Sequence, residues 1–270
     1  MGDSRVSIVV AVLDNRATLQ RCLDSIFAQD HPDKQVIVLD GGSTDGTVEL
    51  IQLNEAGIDH WETGRDGGIY SAWNKALKVA TGRWICFVGA DDYYLDPGAV
   101  GEMAALGDAD DADLVCGKVW YVNERGERQF LHGRPWDWSR MKRSHSVSHT
   151  GMLHRASLFE RHGGFDEQLR IAGDYEFLLR LGPDVRGCFL DRPYLAMGNA
   201  GVSSSNAVET AREVRRVQAS HPQIGAFRAW LNFLRTLTER VWWSARRAID
   251  RSPLVLAFKS ARRATGMGGH

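Results

Sequence analysis

The sequence predicts a doubly wound α/β fold, in which a mainly parallel sheet is flanked by helices and followed by a helical C-terminal extension. Two observations support this. The first ninety residues alternate short apolar runs with segments of helical periodicity, as successive βα units do. The apolar runs are continuous, as expected for strands buried on both faces. With 270 residues and 43% hydrophobic content, the chain is long enough to bury a sizeable core.

Four strands are predicted in this first part, over 6–12, 36–39, 60–61 and 84–88. Asn15 is a suitable N-cap for the first helix. The apolar face of that helix recurs at helical spacing and consists of Leu19, Cys22, Leu23, Ile26 and Phe27. A second helix is expected from about Thr47. A third helix has its apolar face between Ile69 and Ala80 and is stopped by Gly82.

The second half of the chain has a less regular pattern. Segments 114–121 and 129–131 predict a hairpin around a turn at 123–126. The polar and aromatic segment 132–149 is expected to be a loop. Short strands at 152–154 and 188–190, with helices at 156–161 and 174–181, complete the prediction.

Charge and cysteine content suggest where the protein acts. The net charge of -1 conceals a basic tail, since residues 206–270 hold twelve Lys and Arg against four Asp and Glu. The four cysteines occur singly within apolar stretches, which indicates reduced, buried thiols. The N-terminus lacks the pattern of a signal peptide, and no run of about 20 apolar residues could span a bilayer. We therefore expect a cytoplasmic protein.

Acidic residues follow two of the predicted strands. Asp40 ends the second strand, and the adjacent Asp91 and Asp92 follow the fourth. The carboxyl ends of such strands meet at a ligand-binding crevice. Two adjacent carboxylates repel each other unless a cation lies between them, and Mg²⁺ or Mn²⁺ prefers such oxygen ligands. A solvated loop with an Asp N-cap for the next helix explains the pair equally well.

Three further motifs have both a chemical and a structural interpretation. The segment 40–47 has glycines that would let a ligand approach the backbone, and it would also serve as a turn. Asp66, Gly67 and Gly68 precede a helix, and alone they favour a turn. Asp174 opens a helix and is either a general base or an ordinary N-cap. The histidines do not form a zinc pattern on a recognisable element.

Taken in order, these blocks resemble the GT-A fold glycosyltransferases of family 2, an inverting group that builds bacterial polysaccharides and related glycans. The resemblance covers roughly residues 5–195. It rests on these blocks in series: 7–10, 38–47, 66–76, 80–82, 91–92, 163–166 and 173–180. It implies a Rossmann-like GT-A domain over 1–205, with a nucleotide-binding half to about residue 110 and an acceptor-side half over 111–205. The basic amphipathic tail is 206–270.

The resemblance also implies a role for each matching residue. Its nucleotide-sugar site would consist of Ala11, Val12, Asp40, Asp66, Gly67, Gly68 and Asp91. Asp92, assisted by Asp91, would bind Mn²⁺ or Mg²⁺ on the donor diphosphate, and Asp174 would be the catalytic base. The donor expected first is a UDP-sugar. The acceptor would be a hydroxyl on a lipid-linked or growing glycan, in cell-surface polysaccharide biosynthesis.

The chain departs from the family pattern at several positions. Gly89 stands where a further acidic residue is common, Val12 where proline is common, Ser71 where aspartate is common and Gly173 where a second acid is common. Gly89 in particular keeps an alternative open. In that alternative the chain is a catalytically silent relative that binds a nucleotide-sugar or serves as an assembly partner.

Two surfaces are expected to meet the acceptor or its surroundings. Trp136, Trp138 and His149 lie in sequence between the metal motif and the base, so they are predicted on the acceptor side, with a core role for the tryptophans equally open. Residues 225–260 interleave tryptophans with arginines, as does a helix lying in an anionic membrane surface. Packing on protein is the other interpretation of this segment. No nucleic-acid module is visible.

Overall fold

The computed structural model describes residues 4–198 and 206–250. The strands are β1 (Val6–Val12), β2 (Lys34–Asp40), β3 (His60–Thr63), β4 (Trp84–Gly89), β5 (Tyr93–Tyr94), β6 (Leu114–Val122), β7 (Arg128–His132), β8 (Leu153–Arg155) and β9 (Gly187–Met197). The helices are α1 (Arg16–Phe27), α2 (Thr47–Leu53), α3 (Ile69–Val79), α4 (Ala99–Ala109), α5 (Trp138–Met141), α6 (Ala156–His162), α7 (Gly173–Arg180), α8 (Ala207–Ser220) and α9 (Gly225–Asp250).

Within the described ranges the strands form one sheet in the order β3-β2-β1-β4-β8-β6-β9-β5, with β7 paired to β6. Strands β1 to β4 pair in parallel, whereas β8 runs antiparallel to β4 and β6. Since β1 lies between β2 and β4, their carboxyl ends meet at one edge, where Val12 pairs with Asp40 and Ala11 with Gly89. Ligands bind at such an edge. The sheet and its flanking helices confirm the predicted fold class.

The predicted pattern of burial is confirmed in β1, β2, β4 and α1. The three strands are buried on both faces, as their continuous apolar runs indicate. Helix α1 buries the predicted face except for Phe27, which is half-buried. In the part of the chain described, all four cysteines are free thiols, and three of them are buried.

Helix α3 differs from its prediction at both ends. Ile69 opens the helix and is largely exposed, while Tyr70 is buried in its place. The helix ends at Val79, before Gly82. A Cβ at Gly82 would lie 2.6 Å from the backbone nitrogen of Ser7, so close approach of two backbone segments requires the glycine there.

Strand β9 is much longer than the predicted 188–190. The polar residues Asp191 and Arg192 and the proline at 193 interrupt its apolar pattern. A bulge opposite Gly117 and Lys118 accommodates this interruption, and pairing with β6 then continues to Met197. The segment 132–149 also contains the short helix α5, whose N-cap Asp137 accepts the N–H of Arg140 at 3.1 Å.

The chain divides into two compact units, Met1–Val217 and Gln218–His270. Most of α8 therefore belongs to the first unit, although the sequence assigned residues 206–217 to the tail. The second unit contains α9. None of the helices in the described ranges is long and apolar enough to cross a membrane. The last ten residues of the predicted membrane segment 225–260 lie outside the described residues.

Candidate active site

Asp40 ends β2 at the ligand-binding edge and is almost completely buried. Its carboxylate accepts the backbone N–H groups of Gly42 and Ser43, both at 3.0 Å. It also accepts the hydroxyls of Ser43 and Thr63, both at 2.5 Å. Four donors occupy the acceptor positions that a carboxylate offers. Asp40 therefore lies beneath the loop that follows β2 and holds it in shape.

Asp66 and Leu13 both lie next to Gly41 at the same edge. Both carboxylate oxygens of Asp66 are 3.6 Å, and Leu13 Cδ1 is 3.5 Å, from the point that a Cβ on Gly41 would occupy. Leu13 is 61% exposed, and Asp66 Oδ1 accepts the N–H of Gly68 at 2.9 Å. This pocket combines a bare backbone, an apolar side chain and a carboxylate, as a site for a planar base would.

The other residues predicted to bind the donor lie around this pocket. Ala11 and Val12 end β1 beside Asp40 and Gly89, and Gly67 and Gly68 are exposed at the start of α3. The structure thus brings the predicted nucleotide-binding residues to one edge of the sheet. Asp40 differs from the others because its carboxylate is turned to the loop.

Asp92 follows β4 and is 3% exposed. One of its oxygens accepts the N–H of Gly198 at 2.9 Å. The other accepts the N–H of Gly89 at 3.0 Å and the hydroxyl of Thr150 at 2.5 Å. Burial, followed by the charge of Asp91, raises the pKa of Asp92 to about 7. Asp92 therefore ties the ends of β4 and β9 together.

Asp91 presents the carboxylate oxygen that a cation could use. Its Oδ2 is buried and has no hydrogen-bond partner among the residues described. A divalent cation would satisfy this oxygen and offset the repulsion between Asp91 and Asp92. Over 4–198 and 206–250, no group of three or more His, Cys, Asp or Glu side chains could hold a metal alone. The pair fits a cation that completes its shell with phosphate and water, as Mg²⁺ does.

The packing of these two carboxylates explains why residue 89 is a glycine. A Cβ at this position would lie 2.8 Å from Asp92 Oδ2 and 3.1 Å from Asp91 Oδ1. Asp92 is held by three hydrogen bonds and does not move aside freely. The missing acidic residue at position 89 is therefore a steric consequence of this arrangement, and it does not by itself indicate an inactive site.

Asp174 lies in the first turn of α7. Its Oδ1 accepts the N–H of Tyr175 at 2.7 Å and the hydroxyl of Tyr70 at 3.4 Å. Its Oδ2 is 3.9 Å from His145 Nδ1, and 20% of the side chain is exposed. Burial, and then the charge of Asp174, raises the pKa of Tyr70, so that hydroxyl remains a donor. Asp174 is thus both held in place and accessible, as a general base must be.

Glu213 of α8 holds the backbone that leads into α7. Its buried carboxylate accepts three consecutive N–H groups, those of Arg170 at 3.0 Å, Ile171 at 2.6 Å and Ala172 at 2.7 Å. N–H groups at the start of a helix lack intrahelical partners, and a negative charge is favourable there. A residue of the predicted tail therefore supports the segment that carries Asp174.

His149 and His154 lie within an aromatic cluster next to this site. The ring of His149 stacks on Trp73 at 5.2 Å and is 4.8 Å from that of His154. Both histidines are buried, and in the described part of the chain neither Nε2 has a hydrogen-bond partner. Burial is the main cause that lowers both pKa values, that of His154 to about 4. His149, predicted on the acceptor side, is thus an interior group.

These histidines predict a loss of stability in mild acid. Folded His154 binds a proton only near pH 4, whereas the unfolded chain binds one from pH 6.5. The free energy of unfolding is therefore highest above pH 6.5 and falls by about 3 kcal/mol from His154 alone as the pH drops to 4. Urea unfolding from neutral pH to about pH 5 measures this slope. The slope should flatten in His154→Leu and persist in the control His60→Gln, at a partly exposed position. An equal slope in both variants would contradict the assignment.

Trp136 and Trp138 are both used for packing. The indole N–H of Trp138 donates to the Leu179 carbonyl at 2.9 Å, and its ring is buried. Trp136 packs against Gly187, which pairs with Leu114 at the far end of β6. Seven residues of β6, about 23 Å, separate that end from Tyr121 near Asp92. Trp136 therefore lies far from Asp92, whereas Trp138 is a buried residue bonded to α7.

Several residues of the site are not predicted by the sequence. Tyr121 lies near the end of β6, where burial and then the charges of Asp92 and Asp174 raise its pKa. Tyr70 follows the Gly67–Gly68 motif, which is the signal that could have marked it. Nothing in the local sequence distinguishes the supporting residues Thr150 and Glu213.

The fold and the site define a class of nucleotide-binding α/β transferases. The chain belongs to glycosyl transferase family 2, since the model with that description matches residues 7–161. The matched segment extends from β1 to α6 and includes the Asp91–Asp92 pair.

Two curated relatives illustrate the family. A PGL/p-HBAD biosynthesis glycosyltransferase of Mycobacterium bovis is 33% identical over 180 residues, which cover 64% of this chain and 68% of that protein. The chondroitin synthase of Pasteurella multocida is 30% identical over 182 residues, 65% of this chain and 18% of that protein.

Solved structures show the same GT-A fold. S. aureus TarS in complex with UDP-GlcNAc aligns with a TM-score of 0.67 at 22% identity, over 86% of this chain and 71% of that one. This chain spans only 43% of a longer TarS structure. A mannosyltransferase of Pyrobaculum calidifontis in complex with GDP-Man and Mn²⁺ aligns with a TM-score of 0.62 at 18% identity, over 97% of this chain and 80% of that one.

Proposed function

We propose that this protein transfers a sugar from a nucleotide-diphosphate sugar to a hydroxyl of a glycan or lipid-linked acceptor, with inversion at the anomeric carbon. The observation that carries the proposal is the presence of two acidic centres: the Asp91–Asp92 pair, in which Asp91 Oδ2 has no hydrogen-bond partner among the residues described, and Asp174, whose side chain is 20% exposed. Inverting transfer needs two such centres, one for the leaving diphosphate and one for the attacking hydroxyl.

We assign the donor base to the pocket formed by Leu13, Gly41 and Asp66. Asp66 would accept an N–H of the base, and Asp40 would keep the neighbouring loop in shape through its four hydrogen bonds. TarS holds UDP-GlcNAc and the mannosyltransferase holds GDP-Man. A UDP-sugar is the donor we propose first.

Asp174 is the base in this mechanism. Its Oδ2 accepts the proton of the acceptor hydroxyl while that oxygen attacks the anomeric carbon, and the bond to the diphosphate breaks on the opposite face of the sugar. Tyr70 and the N–H of Tyr175 keep the carboxylate oriented. A divalent cation held by Asp91, with Asp92 behind it, would neutralise charge on the departing diphosphate.

Hydrolysis and binding of UDP-, GDP- and dTDP-sugars in the presence of Mn²⁺ or Mg²⁺ test the proposal. Cation-dependent turnover of one donor supports it. Asp91→Asn should weaken binding of that donor, whereas the exposed control Asp184→Asn should not. If no donor is bound or turned over, the alternative of a silent relative or assembly partner is favoured.

Glu213→Ala is expected to lower both stability and turnover. Three N–H groups, of which that of Ala172 is buried, lose their acceptor, which costs about 2–4 kcal/mol of unfolding free energy. Since these groups lead into α7, the fold decrease in kcat should exceed the fold change in KM by about tenfold. Urea unfolding and donor kinetics measure the two effects. Glu209→Ala, on an exposed part of the same helix, is the matched control. Equal kcat values in both variants would show that Glu213 does not position Asp174.

We also propose peripheral membrane contact through the second unit. In the part of α9 whose side chains are described, 225–238, four large apolar side chains are exposed at the spacing of one helix face: Phe227, Trp230, Leu231 and Leu234. A lipid-linked acceptor would lie at such a surface. Flotation with anionic vesicles should be lost in Trp230→Glu and kept in Leu53→Glu, which changes an exposed leucine of the first unit. Unchanged flotation of Trp230→Glu would overturn this proposal.

A further inference from the structure

The hairpin of β6 and β7 carries a row of rings on one face. Tyr121 and Phe130 are cross-strand partners whose ring centroids are 4.4 Å apart, with the rings nearly parallel at 13°. His132 is two residues further along β7, hence on the same face, and meets the Tyr121 ring edge-on at 6.0 Å. We call Tyr121, Phe130 and His132 the ring shelf.

One end of the ring shelf adjoins the predicted donor site. Tyr121 pairs with Met197 of β9. The next residue, Gly198, donates its N–H to Asp92 at 2.9 Å. The shelf is therefore continuous with the backbone that holds the acidic pair.

The ring shelf lies within the electrostatic influence of Asp174, whose charge contributes, after burial and the charge of Asp92, to the raised pKa of Tyr121. Burial, followed by the charge of His145, lowers the pKa of His132, so its ring is neutral at pH 7. His145 Nδ1 in turn lies 3.9 Å from Asp174 Oδ2. A molecule on the shelf would thus lie on the side of the sheet that experiences the charge of Asp174, the carboxylate that we assign as the base.

Phe130 leaves an aromatic surface of the ring shelf open. Tyr121 covers one face of its ring, yet 53% of Phe130 is exposed. The face of an aromatic ring is electron-rich. The axial C–H bonds on one face of a pyranose carry partial positive charge, so a sugar ring lies flat on such a surface. Polar groups at the rim, here His132 and the Tyr121 hydroxyl, can then bind sugar hydroxyls.

We propose that the ring shelf is the acceptor subsite and binds the acceptor as a pyranose ring stacked on Phe130, with the reacting hydroxyl directed to Asp174. This inference rests on the transfer proposed above. It assigns the acceptor side to the β6–β7 hairpin, in place of Trp136, Trp138 and His149. The shelf accommodates a sugar ring of the acceptor, while the donor occupies the pocket at Asp66.

Saturation-transfer NMR with methyl pyranosides of glucose, galactose, mannose and rhamnose tests the shelf independently of catalysis. The protein is used as the full chain, with UDP and Mg²⁺ present. Signal on the sugar C–H protons is expected for the parent and for Phe130→Tyr, which keeps the ring. Phe130→Leu keeps apolar bulk without a ring face, and its affinity should fall about tenfold. Leu131→Ala, on the other face of the same strand, is the control and should bind as the parent does.

Donor hydrolysis without acceptor separates this inference from the proposed function. Hydrolysis should be equal in the parent and in the control Leu131→Ala, whose side chain lies on the other face of β7. Sugar binding that depends on the Phe130 ring supports the shelf even if no donor is hydrolysed, in which case the transfer proposal alone fails. Absence of saturation transfer from every pyranoside to the parent would overturn the shelf. So would equal binding by Phe130→Leu, or displacement of the pyranosides by a simple phenol that binds more tightly.

Discussion

Asp174→Asn is expected to reduce sugar transfer about a thousandfold while donor binding stays unchanged. General base catalysis contributes on the order of a hundredfold to ten-thousandfold, and an amide does not accept the proton. Asparagine keeps the size of the side chain and an oxygen for the N–H of Tyr175 and the hydroxyl of Tyr70. The local geometry should therefore survive.

Single-turnover kinetics measure the rate of sugar transfer, and calorimetric titration with the donor nucleotide measures donor binding. The control Asp184→Asn carries the same chemical change at an exposed position and should transfer sugar as the parent does. Loss of nucleotide binding together with transfer would mean that Asp174 supports the donor site. Retained transfer would remove it from the role of base.

Gly198→Ala is expected to lower donor binding and turnover about a hundredfold although it removes no functional group. Its Cβ would lie 2.2 Å from Asp91 Oδ2 and 2.5 Å from the carboxyl carbon. Glycine 198 does not have a positive φ, so alanine is compatible with the backbone itself. The N–H of Gly198 is bonded to Asp92, so the backbone does not retreat without loss. The added methyl group must displace Asp91, and a displacement of about 1 Å at a reacting centre can cost a hundredfold.

The matched control for this change is Gly101→Ala within α4. There the nearest atom to the new Cβ is 3.7 Å away, an ordinary contact, and alanine is favoured in helix interiors. Cation-dependent donor hydrolysis and binding, compared between the two variants, measure the effect. Full activity in Gly198→Ala would show that Asp91 is not needed where it lies.

The acceptor side shows how far the sequence could be interpreted. The expected interval of the chain does contain Trp136, Trp138 and His149. The two indole N–H groups donate to backbone carbonyls, however, and the His149 ring stacks on Trp73. Sequence order cannot tell which face of a ring is covered. The sequence predicts Phe130 and Tyr121 only as residues of a hairpin. The pairing that stacks their rings depends on the register of β6 and β7, which the structure shows.

The sequence by itself determined the succession of strands and helices, the acidic groups at the strand ends and the family. These follow from short-range periodicity and from blocks of adjacent residues. Only the tertiary structure decided which carboxylates are held by hydrogen bonds within the protein and which remain available to a ligand. Two of the three donors that occupy Asp92 come from Thr150 and Gly198, 58 and 106 residues further along the chain, and the acceptor that supports the Asp174 segment comes from Glu213. Such partners are brought together by the sheet order, because hydrogen bonds depend on distance in space and leave no local pattern in the sequence.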